Sequence, residues 1–221
     1  MTTKTKMILA SASPRRKELL GLGGWDFEII SAEIDETPLD GESSKDYVIR
    51  LGEEKARAAD WGTDENAVII SADTTVADGD KILGKPANAD DVRATLKDLR
   101  GRTHQVYTGL AVYQPGSETL YTELGATDVP MRSYSDEEIE AYIASGDPFD
   151  KAGSYAIQHP EFKPVNELTG CRANVVGLPL CHLQRSLRKL GILPEVNLQQ
   201  ACQDALNYTC TVYDSILEGG V

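Results

Sequence analysis

Arg15 and Arg16 stand at the start of a helix, a place where cations are unusual. The apolar run Met7-Ile8-Leu9-Ala10 reads as a short strand, and Ser11-Ala12-Ser13-Pro14 leads it into a helix buried through Leu19, Leu20 and Leu22. Ser13 suits the N-cap, because its hydroxyl can accept from a free amide of the first turn. Pro14 suits the first helical position, where a missing N–H costs nothing. Helix starts favour acids, so Arg15, Arg16 and Lys17 oppose the helix dipole. Such a local conflict points to a site, here a cradle in which free amides and guanidinium groups converge on an oligophosphate. The plainer alternative is a solvated basic helix start.

Groups of opposite sign follow. Glu33, Asp35 and Glu36 crowd a loop closed by Pro38 and repel one another unless a cation is near, although many such runs are only solvated loops. Lys55 falls on the apolar stripe Tyr47, Val48, Leu51, Ala58 and Ala59 of a helix opened by Ser43-Ser44-Lys45-Asp46. A lysine there either snorkels to the edge or meets an anion, and an anionic partner is expected. Asp73 follows the run AVIIS (67–71), which predicts a central strand buried on both faces and ending near Ala72-Asp73-Thr74-Thr75. Ligands of open α/β sheets meet the carboxyl ends of strands, so an acid placed there is a candidate for chemistry. The Asp78-Gly79 turn predicts a hairpin that returns Gly84-Lys85-Pro86 to the neighbourhood of Asp73. The register of that loop, and so the face taken by Lys85, stays open.

The rest of the chain supplies the frame. Asn88 is expected to cap a helix carrying Val92, Leu96 and Leu99, and two long strands (103–113 and 118–131) to join at Pro115-Gly116. Ser135 opens a further helix that buries Ile139, Tyr142 and Ile143 and stops at Gly146. Residues 147–158 read as turns and then a strand, and Leu180, Leu183, Leu187 and Leu190 as one helical stripe. Strands alternate with helices, yet hairpins are present, so an α/β fold with a mixed sheet is predicted.

Bulk properties exclude several classes. The 221 residues carry a net charge of −13, which repels a nucleic-acid duplex or an anionic membrane. No stretch is long and apolar enough to span a bilayer, and residues 1–6 are not expected to act as a signal peptide. Cys171, Cys181, Cys202 and Cys210 are irregularly spaced and form no C-x-x-C, so reduced thiols of a cytoplasmic protein are expected. With only three histidines, a zinc site is improbable, and any metal is expected on carboxylates and substrate phosphates.

Several separated motifs then agree. Leu9-Ala10-Ser11-Ala12-Ser13-Pro14-Arg15-Arg16, Ile34-Asp35-Glu36-Thr37, Glu54-Lys55-Ala56, Ser71-Ala72-Asp73-Thr74 and Leu83-Gly84-Lys85-Pro86 come first. Gly101-Arg102-Thr103-His104, the run DKAGSYAIQ (150–158) and Val175-Val176-Gly177-Leu178-Pro179-Leu180 follow in order. Together they resemble the Maf family, nucleoside-triphosphate pyrophosphatases with a two-lobed, inosine-triphosphatase-like fold. The resemblance covers residues from about 6 to 192, implies one domain at 1–192 and leaves 193–221 as an extension in which Asn197 could cap a helix that packs on a partner subunit.

The resemblance implies Asp73 as catalytic acid/base, and Ser11, Arg15, Arg16, Lys55, Thr74, Lys85 and Gln158 as substrate-binding residues. Glu36 and Asp73 would hold a divalent cation, Mg²⁺ or Mn²⁺. Arg15, Thr74 and Gln158 match the branch acting on dTTP and UTP, whose activity prevents misincorporation into nucleic acids. The alternatives are a 7-methyl-GTP enzyme and a nucleotide-binding regulator of cell division. A homodimer is also implied. Two stretches depart from the family pattern: 159–164 replaces glycines, and Gly170-Cys171-Arg172 replaces Gly-Ser-Tyr, both beside the expected base pocket.

Overall fold

The computed structural model describes residues 5–220, so the polar start at 1–4 lies outside it. A mixed six-stranded sheet carries the fold, with order β2-β1-β3-β5-β6 and β4 added to β3. In chain order these are β1 (Met7–Leu9), β2 (Phe27–Ile29), β3 (Val68–Asp78), β4 (Lys81–Leu83), β5 (Thr103–Gln114) and β6 (Thr119–Pro130). The helices are α1 (Pro14–Gly21), α2 (Ser44–Ala58), α3 (Ala89–Leu99), α4 (Asp136–Ala144), α5 (Arg172–Val176), α6 (Leu180–Lys189), α7 (Leu198–Leu206) and α8 (Tyr213–Leu217). β1 pairs parallel with β2 and β3, and the remaining ladders are antiparallel.

Side-chain alternation sorts the core into layers. Ile8, Ala10 and Ile69 point to the face covered by α2, with Ala56, Ala59 and Ala111. Met7, Leu9, Val68, Ile70 and Ala72 point to the other face, against α1, α5 and α6. β3 and β5 then run on into a second lobe, where Val76, Val92, Leu96, Val106, Ile139 and Tyr142 pack with α3 and α4. Long strands shared by two cores give the two-lobed shape.

Three expectations are corrected or sharpened. β3 does not end before Asp73 but continues to Asp78, because β5 pairs with it from Ile69↔Tyr113 to Ala77↔Gln105. The parallel ladder of β1 stops at Leu9↔Ile70, and β4 joins only at Val76↔Leu83. Asp73 therefore lies mid-strand, in a gap along one edge of β3. The strand expected within 147–158 is also absent: two short 3₁₀ turns, Asp147–Asp150 and Ala152–Ser154, occupy it. Gly153 (φ 68°) and Ser154 (φ 62°) are consecutive left-handed residues, which no strand accommodates. Finally, the segment after residue 192 packs on this chain's own core. Asn197 caps α7 through Gln200 N–H, Leu198, Leu206 and Ile216 are buried, and Arg185 donates to Ile216 O (2.8 Å) and Gly220 O (3.0 Å). Among the described residues, no helix is long and apolar enough to cross a membrane.

α2 sits unusually close to the sheet. A Cβ on Gly109 would lie 2.1 Å from Val48 O, and one on Gly52 would lie 3.1 Å from Gly109 O. Ser71 Oγ donates to Gly52 O at 2.5 Å across the same contact. Gly109 pairs directly with Asp73, so this contact sets the distance from α2 to the candidate acid. Gly109→Ala is expected to force α2 outward and cost about 1–3 kcal/mol or more in urea denaturation. Gly21→Ala, at a helix end with open space, should be neutral or slightly stabilising.

His104 and His182 are buried, and burial pushes both imidazoles down to about 4. Among the described residues, neither ring nitrogen of His182 has a hydrogen-bond partner. The unfolded chain takes up these protons near the ordinary value of 6.5, while the folded chain stays neutral down to about 4. Stability should therefore be complete above that ordinary value and fall with acidification, by about 1.4 kcal/mol per pH unit for each histidine. Denaturation across this window should show a shallower slope for His182→Leu than for the native chain.

Candidate functional site

The gap beside β3 opens into a cleft of about 640 Å³, within the size range of small-molecule sites. Ser11, Arg15, Arg16, Glu36, Lys55, Asp73, Thr74, Lys85 and Gln158 all line it. These nine residues come from the loop between β1 and α1, α1 itself, the loop after β2, α2, β3, the segment after β4 and the loop before α5. The topology gathers them because β1 ends where the edge of β3 becomes free.

At the floor lies a charged triad. Lys55 Nζ is 2.6 Å from Asp73 Oδ1 and 2.7 Å from Glu36 Oε1. Lys55 and Asp73 are 9% and 8% exposed, so each needs a partner to be tolerated there. Glu36 is exposed and reaches the triad from its loop. That loop is tied to α2: Tyr47 Oη donates to Glu36 O (2.9 Å), and Arg50 donates to Thr37 O (3.2 Å) and to both oxygens of Glu42 (2.6 and 2.8 Å). Desolvation first, then the negative charges of Asp73 and Glu36, push the Tyr47 phenol up and keep it a donor. The triad carries two carboxylates and one ammonium, a net charge of −1.

The opposite wall is basic. Ser13 caps α1 through the Arg16 amide, and Pro14 takes the first helical position, as the sequence predicts. Arg16 is fixed from three sides, by Ser11 Oγ (3.2 Å from Nη1), Thr74 Oγ1 (3.1 Å from Nη2) and Gly177 O (2.8 Å from Nε). Desolvation lowers its pKa, an effect opposed by the Asp73 charge, and a guanidinium remains a cation throughout the physiological range. Arg15 and Lys85 also line the cleft, and neither forms an ion pair among the described residues. The open question of register is thus resolved, with Lys85 on the cleft side.

Around the expected base pocket, Gln158 is exposed and precedes the departing loop 159–164. That loop has its own aromatic anchor. Phe162 stacks on Tyr142 (centroids 4.4 Å, 13°), His159 meets Tyr142 edge-on (4.8 Å), and Phe162 N donates to His159 Nδ1 (2.9 Å). The second departure, Cys171, precedes α5 and is buried.

Sequence reasoning missed Tyr47, Asp150, Lys151 and the Gly177 carbonyl. Tyr47 was readable: it stands on one helical face with Leu51 and Lys55, two turns before the lysine. Lys151, inside a quoted motif, is held by Asp147 O (2.7 Å) and Asp150 Oδ1 (2.6 Å) and shapes the turn beside the cleft. Outside the cleft, the four cysteines converge on a small apolar pocket of about 20 Å³. Burial pushes Cys171 and Cys181 up to about 12 and Cys202 up to about 11, which keeps these thiols protonated and suits them to filling space.

Two curated relatives carry the same description. A dTTP/UTP pyrophosphatase of Geotalea uraniireducens (strain Rf4) is 43% identical over 87% of this chain and 99% of its own. A protein of the same description from Chlorobium phaeovibrioides (strain DSM 265 / 1930) is 46% identical, covering 83% of this chain and 96% of its own. Among solved structures, the Ham1 protein of Staphylococcus aureus aligns with 58% of this chain and 73% of its own at 15% identity and a TM-score of 0.41, too distant to bear on the site. The family model described as Maf-like protein matches residues 6–190, the whole of the sheet and every residue of the cleft, and the chain belongs to that family.

Proposed function

We propose that this chain hydrolyses dTTP and UTP to the nucleoside monophosphate and pyrophosphate. One observation carries the reading: a Lys55–Asp73–Glu36 triad and a basic wall of Arg15, Arg16 and Lys85 line one cleft of nucleotide size. The relatives described as dTTP/UTP pyrophosphatases support the same substrate class.

Asp73 orients a water towards the α-phosphorus and accepts its proton as the bond forms. Lys55 fixes the Asp73 carboxylate and, as a point charge, offsets charge gathering on the phosphoryl oxygens. Arg15 and Arg16 grip the β- and γ-phosphates, Arg16 from an orientation already set by its three contacts. Lys85 adds a further cation to the leaving pyrophosphate. Ser11 holds the guanidinium of Arg16 on the cradle side.

The donor set fits a divalent cation. Magnesium and manganese favour one or two carboxylates plus substrate phosphates, and Glu36 and Asp73 face each other across a single ammonium with negative charge to spare. Those two carboxylates would hold Mg²⁺ or Mn²⁺. When bound, the ion neutralises charge on the triphosphate as the anhydride bond breaks.

Gln158 reads the base edge, since its amide matches the donor and acceptor pattern of uracil and thymine. The aromatic anchor behind it holds 159–164 against Tyr142 of α4.

Incubation with a panel of nucleoside triphosphates tests the assignment. Pyrophosphate and the monophosphate should appear, and orthophosphate as the first product would point to a different phosphate-transfer enzyme. Asp73→Asn should lower pyrophosphate release by roughly a hundredfold or more while nucleotide binding stays close to native. Near-native turnover in that variant would remove Asp73 from the chemistry. In Gln158→Ala, the ratio of UTP to GTP hydrolysis should fall by roughly tenfold, because a hydrogen-bonding contact to the base edge is lost. An unchanged ratio would place base selection elsewhere.

A further inference from the structure

Arg16 does more than touch Thr74. Thr74 Oγ1 lies 2.9 Å from Thr108 Oγ1, and Thr108 Oγ1 donates to the backbone carbonyl of Asn174 at 3.0 Å. A hydroxyl has a single proton to give. That of Thr108 goes to Asn174 O, which can only accept. Thr74 must therefore be the donor in its contact with Thr108, while its oxygen accepts from Arg16 Nη2 at 3.1 Å. Every donor points one way, from the guanidinium through two hydroxyls to a carbonyl, and each bond in such a chain polarises the next.

The chain closes on itself. Arg16 Nε donates to Gly177 O at 2.8 Å, and Gly177 N donates to Asn174 O at 3.0 Å. Both carbonyls thus stand at the C-terminal end of α5, where backbone dipoles favour a cation. The far side is pinned to the sheet. Asn174 Nδ2 donates to Val106 O and to Thr127 Oγ1, both at 3.0 Å, and Thr127 Oγ1 donates to Cys171 O at 3.2 Å. Thr108 and Asn174 are fully buried and absent from the walls of the cleft. Thr108 stands directly across from Thr74 in the β3–β5 register.

We infer that Thr108, anchored on the Asn174 carbonyl, is a positioning residue for Arg16 and acts on it through Thr74. The inference rests on the phosphate-binding role of Arg16 proposed above. It gives Thr74 a defined polarity as well: its proton is committed to Thr108, so towards the cleft it offers only an acceptor. An acceptor suits the N3–H of uracil and thymine and does nothing for a carbonyl of the base. The circuit thereby joins the grip on the triphosphate to the side of the cleft where the base is read.

Thr108→Val removes the hydroxyl and keeps the shape, and competitive inhibition by inorganic pyrophosphate reads the anion grip directly. The variant should weaken that inhibition, and raise KM for UTP, by roughly three- to tenfold. Thr108→Ser should restore both to near the native values. In an Arg16→Ala background the Thr108→Val effect should vanish, because groups acting in one network are not additive. Should Thr108→Val fail to fold, Thr108→Ala carries the same comparison. Pyrophosphate inhibition unchanged by Thr108→Val but weakened by Arg16→Ala overturns the positioning role and leaves the function intact. A Thr108→Val effect that persists undiminished in the Arg16→Ala background also overturns it, since the threonine then acts on general structure. Inhibition untouched by Arg16→Ala itself would remove the phosphate role of Arg16, and the inference with it.

Discussion

The ion triad of Lys55 with Asp73 and Glu36 is the interaction on which the rest of the structure turns. A nearly buried lysine and a nearly buried aspartate 2.6 Å apart tolerate burial only together. Removing one partner from such a pair typically costs about 3–5 kcal/mol, because the other charge is left uncompensated. The fold is arranged to bring them together. Gly52 and Gly109 let α2 approach the sheet until Val48 O stands where a Cβ would be, and Ser71 fastens the two surfaces. The gap along the edge of β3, between the end of β1 and the start of β4, then opens Asp73 to the cleft.

Charge is distributed with the same economy. The molecule as a whole carries −13, a field that repels polyanions, yet Arg15, Arg16 and Lys85 gather at one cleft. Among the described residues none of the three forms an ion pair, and Arg16 is oriented by neutral partners: two hydroxyls and a carbonyl. Neutral acceptors hold a guanidinium in place without cancelling its charge. That distinguishes the proposed phosphate grip from a structural salt bridge such as Arg185 with Glu123.

Much of this was legible in the residues. The N-cap at Ser13, the lysine on an apolar stripe and the turn at Asp78-Gly79 each carry a local rule, and the structure obeys all three. Local rules failed where long-range pairing decides. Nothing within VIISADTTVAD (68–78) says that β1 will stop while β5 continues, so AVIIS (67–71) reads as a strand that ends near Asp73 instead of at Asp78. The stretch before Gln158 alternates like a strand, but a left-handed pair at Gly153 and Ser154 turns it into loops around the cleft. The polarity of the Thr74–Thr108–Asn174 chain was invisible for the same reason, since its members are scattered over 100 positions of sequence (74 to 174) and meet only through sheet register. Thr108 gave no sign of itself beyond sitting in a predicted strand.

In the proposed reaction water, oriented by Asp73 at the floor of the cleft, attacks the α-phosphorus while the basic wall holds the departing pyrophosphate. Turnover of UTP in water enriched in heavy oxygen, followed by mass analysis of both products, tests it most directly. One heavy oxygen is expected in the monophosphate and none in the pyrophosphate. Label in the pyrophosphate would place the attack on the β-phosphorus and contradict the arrangement of Asp73, Lys55 and the two arginines set out above.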